Sequence, residues 1–216
     1  MPRKRKSNGN NERARMMVAQ ETARIIVNQG IRDFGLAKKK AAERLGLRDR
    51  GSLPGNAEIE QAVSEHLQLF AGDSHHDLLN TMREAALSAM ELLSGFTPRL
   101  VGPVLNGTAD ANSAVNLHVF ADSAESVAHA LDQNGLSYKP YERRLRSRRD
   151  RAETYAGFEF HHGEASVQAT VFPVDGIRQA PISPVDGKPM QRADEKAERE
   201  LLQSLWGQLQ RFSTGT

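Results

Sequence analysis

Apolar residues recur at two spacings along this chain, first at the three-to-four-residue period of helices and then in short runs and alternations typical of strands. From Asn11 to Gln29 the apolar positions Met17, Ala19, Ala23, Ile26 and Val27 fall at helical spacing, and Gly30 ends the segment. Asp33 can cap a second helix carrying Ala37, Ala41, Ala42 and Leu45, stopped by Gly46. A third is predicted from Asn56, as its cap, to Phe70, with Ile59, Val63, Leu67 and Phe70 as its stripe. Ser74 and Asp77 make an acidic version of a capping box. The long helix after them buries Leu78, Leu79, Met82, Ala86, Met90 and Leu93, and Gly95 closes it.

The period then changes. Leu100–Leu105 and Val115–Phe120 are short, apolar and partly β-branched, and read as buried strands around a polar loop. Ser123 starts a helix with Val127, Ala130 and Leu131 inward, ended by Gly135. Residues 136–146 alternate in part, and Pro140 argues for an edge strand or a bulge. Tyr155–His161 and Ala165–Phe172 alternate around a turn at Gly163. Residues 173–190 form a Pro- and Gly-punctuated connection, and a last helix runs from Asp194 to Arg211, with Trp206 expected to anchor it to the sheet. The fold class is α+β: a mixed sheet with flanking helices, preceded by an N-terminal helical extension. The expected divisions are a disordered basic tail at 1–10, a helical region at 11–72 and a core at 73–216.

Composition narrows the chemistry. There is no cysteine, which removes disulfides, thiolate metal sites and a cysteine nucleophile. No apolar run approaches membrane-spanning length, and no apolar segment follows the basic N-terminus as in a secretory signal, so a cytoplasmic protein without a membrane partner is expected. The formal net charge is only +2, but residues 1–50 hold 14 Lys or Arg against 5 acids, and residues 51–100 hold 2 against 7. A tail led by Arg3, Lys4, Arg5 and Lys6 is suited to phosphate contacts with RNA or DNA. The second basic feature is Arg143, Arg144, Arg146, Arg148, Arg149 and Arg151, which reads either as a solvated loop or as an anion-binding rim.

The stretch Arg99–Ala121 carries the most specific signal. Its loop, Asn106-Gly107-Thr108-Ala109, has little side-chain bulk, so backbone N–H groups can approach a ligand. With Gly102 before it and Ser113 at the start of the second apolar run, the stretch resembles the signature of the nucleotidyltransferase superfamily, the DNA polymerase beta-like fold. The wording of 175–190 is likewise similar to bacterial proteins described only as nucleotidyltransferase-like. The resemblance covers roughly residues 75–195. It implies a fold in which paired aspartates hold divalent metal on nucleotide phosphates.

Departures from that pattern fall on the chemistry. Pro103 replaces the family's Ser, Ala114 stands where the first Asp belongs and Asn116 where the second belongs, and the strand for a third carboxylate offers Gln168 and Thr170. Glu164 lies at the turn and is a poor substitute. Alanine ligates nothing, and a neutral amide brings no negative charge to offset a cation. The implied protein is a pseudoenzyme that binds nucleotide or nucleic-acid phosphate without transfer, and needs no cofactor. Its binding residues would be Gly102, Asn106, Gly107, Thr108, Ser113, Asn116, Arg143, Arg144, Arg146, Arg148 and Arg149. The alternatives are an active divergent transferase, using Mg²⁺ on Asp110 or Asp122, and a helical scaffold for a protein partner. The pairs His75-His76 and His161-His162 cannot chelate alone, since neighbours point apart on helix and strand alike. Residues 41–47 have a flavour of helix-turn-helix DNA readers, but loop composition follows where a recognition helix should begin. Neither a P-loop nor a Gly-x-Ser-x-Gly elbow is present.

Overall fold

The computed structural model describes residues 5–31, 33–47, 53–70, 72–148 and 151–202. The chain divides into two compact units, Met1–His76 with Pro184–Gly187, and Asp77–Ser183 with Lys188–Thr216. Among the described residues no helix is long and apolar enough to cross a membrane.

The first unit is built from α1 (Arg5–Gln29), α2 (Phe34–Arg44) and α3 (Asn56–Phe70). α1 uses two faces. Ala19 and Ala23 pack with Ile59, Ala62, Val63 and Leu67 of α3, while Val18 and Ile25 pack with Ala37 and Ala41 of α2. Asp33 caps α2 as expected, its Oδ1 accepting from the N–H groups of Gly35 and Leu36 at 2.7 and 3.0 Å. After Gly46 the next helix among the described residues is α3, which starts at Asn56.

Three expectations change here. Residues 5–10 are the first turns of α1 rather than a disordered tail, because helix propagates readily outward from a nucleated apolar segment. Arg3 and Lys4 lie outside the described residues. Asn56 is not the cap of α3: Glu58 accepts from the Gly55 N–H at 2.6 Å, while the Asn56 side chain accepts from Lys38 Nζ and donates to the Pro184 carbonyl. Phe70 leaves the stripe. It is 77% exposed, with its ring against His66 one turn earlier.

The second unit follows the order α4 (Gly72–Leu92), β1 (Arg99–Val101), α5 (Pro103–Asn106), β2 (Val115–Phe120), α6 (Ala124–Gln133), β3 (Tyr138–Arg148), β4 (Arg151–His162) and β5 (Ala165–Phe172). A helix over 195–202 follows, started by Asp194, whose Oδ1 accepts from the Ala197 N–H. α4 begins before Ser74, which therefore lies inside the helix instead of capping it. Trp206 is outside the described residues.

The five strands form one mixed sheet in the order β1-β2-β5-β4-β3. β2 and β5 are parallel, with Asn116 opposite Gln168, and the other neighbours are antiparallel. Alternation gives the sheet two unlike faces. One carries Leu117, Val119, Phe158, Phe160, Ala169 and Val171, in a core with Met82, Ala86 and Met90 of α4 and Val127 and Leu131 of α6. The other is largely polar.

The apolar run Leu100–Leu105 is not one strand. Gly102 takes φ 75°, ψ −150°, a region open only to glycine, and Pro103 starts α5 at N1, so Val104 and Leu105 are helical. The part left as strand, β1, does lie antiparallel beside β2.

Candidate functional site

The polar face of the sheet is set by position parity on four strands. Asn116, His118 and Phe120 of β2 share it with Gln168, Thr170 and Phe172 of β5, Glu159, Gly157 and Tyr155 of β4, and Tyr141 and Arg143 of β3. At its centre the Arg143 guanidinium bridges two amides, donating through Nη1 to Asn116 Oδ1 (3.2 Å) and through Nη2 to Gln168 Oε1 (2.6 Å). Both amides are held from behind: Asn116 Nδ2 donates to the Ala114 carbonyl and Gln168 Nε2 donates to Glu159 Oε2. The Arg143 guanidinium also lies 5.2 Å from the centre of the Tyr141 ring.

Tyr141 reaches across β4 to share a 2.8 Å hydrogen bond with Thr170 Oγ1. It can do so because the residue between them is Gly157: a Cβ there would lie 2.3 Å from Tyr141 Cζ. Burial pushes the Tyr141 phenol up from its usual pKa.

Next along the face, His118 is buried (1% exposed) and its Nδ1 accepts from Arg192 Nε at 3.1 Å. A guanidinium only donates, so His118 is the neutral Nε2–H tautomer. Burial, then the charges of Arg192 and Arg143, lower its pKa to about 3. Arg192 also donates to the carbonyls of Gly176 and Ile177, and its guanidinium lies about 5 Å from the rings of Phe120 and Phe172. Burial and the neighbouring Arg99 bring its own pKa down to about 10. Arg99 donates to the carbonyls of Thr97 and Pro98. Among the described residues, none of Arg99, Arg143 and Arg192 pairs with a carboxylate. Their charge is offset by neutral acceptors only.

The structure thus brings together Gly102, Asn116, Arg143 and Gln168; a Cβ at Gly102 would touch Asn116 Nδ2 at 3.5 Å. It does not bring in the rest of the expected set. Asp110 and Ser113 close a turn on themselves, with Asp110 Oδ1 accepting from Ser113 Oγ (2.8 Å) and the Asn112 N–H (2.9 Å). Asn106 is exposed, Gly107 ends α5, and the Thr108 N–H donates to the Pro103 carbonyl, so the loop spends backbone donors on itself. Asp122 lies past the far end of β2, six residues or about 20 Å from Asn116.

Arg143, Arg144 and Arg146 lie in a strand, so they cannot act as one rim: Arg144 and Arg146 alternate to the face opposite Arg143. Nothing is described of the Arg148 side chain, and Arg149 lies outside the described residues. Of the histidine pairs, His162 Nε2 shares a 2.8 Å hydrogen bond with Ser88 Oγ. No three His, Asp or Glu residues gather as a metal-holding group among the described residues.

His118, Arg192, Tyr141 and Glu159 were absent from the sequence-derived set. Parity in Val115–Phe120 already puts His118 beside Asn116, but no local pattern marks Arg192, which arrives from a long connection. No family model, no curated protein and no solved structure matches this chain.

Proposed function

We propose that this chain is a nucleotidyltransferase-like protein without transfer chemistry, and that the polar face of its sheet holds a nucleotide or nucleic-acid phosphate on Arg143. The bridge from Arg143 to Asn116 and Gln168 carries this reading. The resemblance sets metal-bearing carboxylates at 114 and 116 and on the strand of 168. The residues present do not fit a divalent cation there. Ala114 has no ligand atom, the two amide oxygens accept from a guanidinium, and a second cation beside that guanidinium would be repelled.

Arg143 therefore supplies fixed positive charge where the family would use metal. It is half-buried and neutralised only by dipoles, and its planar fork suits phosphate oxygens. Glu159 orients the Gln168 amide without touching Arg143 in this arrangement. Arg192 adds to the positive field from the same face, and neutral His118 holds it there by accepting from its Nε.

Titration calorimetry with ATP and CTP, with and without Mg²⁺, tests the proposal. Binding should be independent of Mg²⁺ and lost in Arg143→Gln. A large Mg²⁺-dependent gain in affinity would overturn it in favour of an active divergent enzyme, with Asp110 or Asp122 as the ligands to mutate first.

A further inference from the structure

We infer that Tyr155 and Glu153 of β4 form the base end of the Arg143 site, with Tyr155 as the stacking surface and Glu153 as the group that selects guanine. The inference rests on the phosphate reading of Arg143 and names the base that goes with it. The register sets Tyr155 opposite Arg143 and Glu153 opposite Leu145, and residues of that parity share the polar face. From Gln168, where the guanidinium bonds, to Phe172, against which Tyr155 packs, is four residues of β5, about 13 Å. An extended nucleotide covers a separation of that order between its phosphates and its base.

Aromatic side chains gather at this end of the face. The Phe172 ring centroid lies 4.4 Å from that of His118, 5.9 Å from that of Phe120 and 4.3 Å from that of Tyr155. The Arg192 guanidinium lies over Phe120 and Phe172, and both rings are buried, as is His118. Tyr155 is half-buried, so it is the open end of the row. Its ring is braced by Phe172 and by its own hydroxyl, which donates to Glu153 Oε2 at 2.5 Å. A ring fixed in advance has little freedom to lose when a base stacks on it.

Glu153 supplies the selection. Its Oε1 pairs with Arg151 Nε at 2.9 Å and its Oε2 accepts from Tyr155, which fixes the carboxylate beside the ring while its side chain stays 36% exposed. A carboxylate only accepts, at about four lone-pair positions, and these bonds use two. The pairing edge of guanine presents two adjacent donors, N1–H and the N2 amine, which match the two positions left. Adenine and cytosine set an acceptor nitrogen beside their amine, and uracil sets its single N–H between two carbonyls. Each of these three therefore turns a lone pair toward the carboxylate.

Titration calorimetry of the full chain with GTP, ATP, CTP and UTP, all without Mg²⁺, tests this. GTP should bind about 5- to 100-fold more tightly than the other three, the discrimination of one bidentate base contact. Glu153→Gln should lower GTP affinity by that factor, so that the four nucleotides converge. Tyr155→Leu should weaken all four by about 5- to 100-fold, the range of one base–aromatic stack, while Tyr155→Phe should keep the stack. If Tyr155→Leu loses its native circular dichroism, the exposed Glu153→Gln decides alone. Equal affinity for the four nucleotides overturns the inference, as does a GTP preference that survives Glu153→Gln or an unchanged affinity in folded Tyr155→Leu. In those cases Arg143 keeps its phosphate role provided Arg143→Gln abolishes binding. No nucleotide binding by the intact protein overturns both readings.

Discussion

The two faces of the sheet are made by the same strands, yet they are stabilised by different physics. On one face, burial of Leu117, Val119, Phe158, Phe160, Ala169 and Val171 against α4 and α6 is non-directional, and each contact depends on area. On the other, His118, Thr170 and half of Arg192 are taken from water and compensated one hydrogen bond at a time. The apolar face tolerates exchange of one hydrocarbon for another. The polar face does not, because its hydrogen bonds join particular donors to particular acceptors, and losing either leaves a cost, as Arg192 Nη2, buried without a partner, already does. The first face gathers the core, and the second carries the proposed phosphate site.

The largest test breaks the apolar side. Phe160→Ala, at a residue 1% exposed, should destabilise the protein by about 3–5 kcal/mol, read as a fall in the urea midpoint with unchanged slope. A smaller loss is expected on the polar side from Gly157→Ala. The new Cβ displaces the Tyr141 ring and breaks its bond to Thr170, at about 1–3 kcal/mol. If Gly157→Ala is instead neutral, the ring is not held where the structure puts it.

A third test concerns pH. The imidazole of His118 binds its proton near pH 6.5 when unfolded and only at about 3 when folded. Between those values the unfolded chain carries the extra proton, so stability falls as pH drops, by up to about 1.4 kcal/mol per pH unit, and levels off below about pH 3. His118→Asn keeps an acceptor for Arg192 but cannot titrate, so urea midpoints measured from pH 7 to pH 4 should lose that part of the acid slope. The smallest effect is Tyr141→Phe, which removes one partly buried hydrogen bond and should cost about 1 kcal/mol in the same unfolding assay.

Much of this architecture was legible because parity and helical period are properties of the sequence itself. The alternation in 115–120 and 165–172 gave β2 and β5, and the apolar stripes gave α1 to α4 and α6. The register sets Asn116 opposite Gln168. What stayed hidden depends on partners far away in the chain. Gly102-Pro103 turned a run of strand-forming residues into a helical turn, where local backbone geometry outweighed composition. The arginine run read as a solvated loop or an anion-binding rim because its charge outweighed the partial alternation of 136–146, and the strand there is completed by pairing with β4. Asp110 looked available as a ligand, but a four-residue turn consumes it. Arg192 could not be assigned to a buried histidine without the fold.

The parallel pairing of β2 with β5 has a consequence for how the molecule assembles. β3, β4 and β5 are hairpin neighbours and can zip up locally, whereas Val115 meets Val167 only after α6, β3 and β4 have all been arranged between them. Closing that long loop comes at an entropic cost before any contact repays it, and such pairings form slowly. Until β2 arrives, one edge of β5 presents unpaired backbone, an invitation to another chain during synthesis. The amide pair at 116 and 168 is completed by the same event, so the Arg143 bridge exists only in chains that have finished folding.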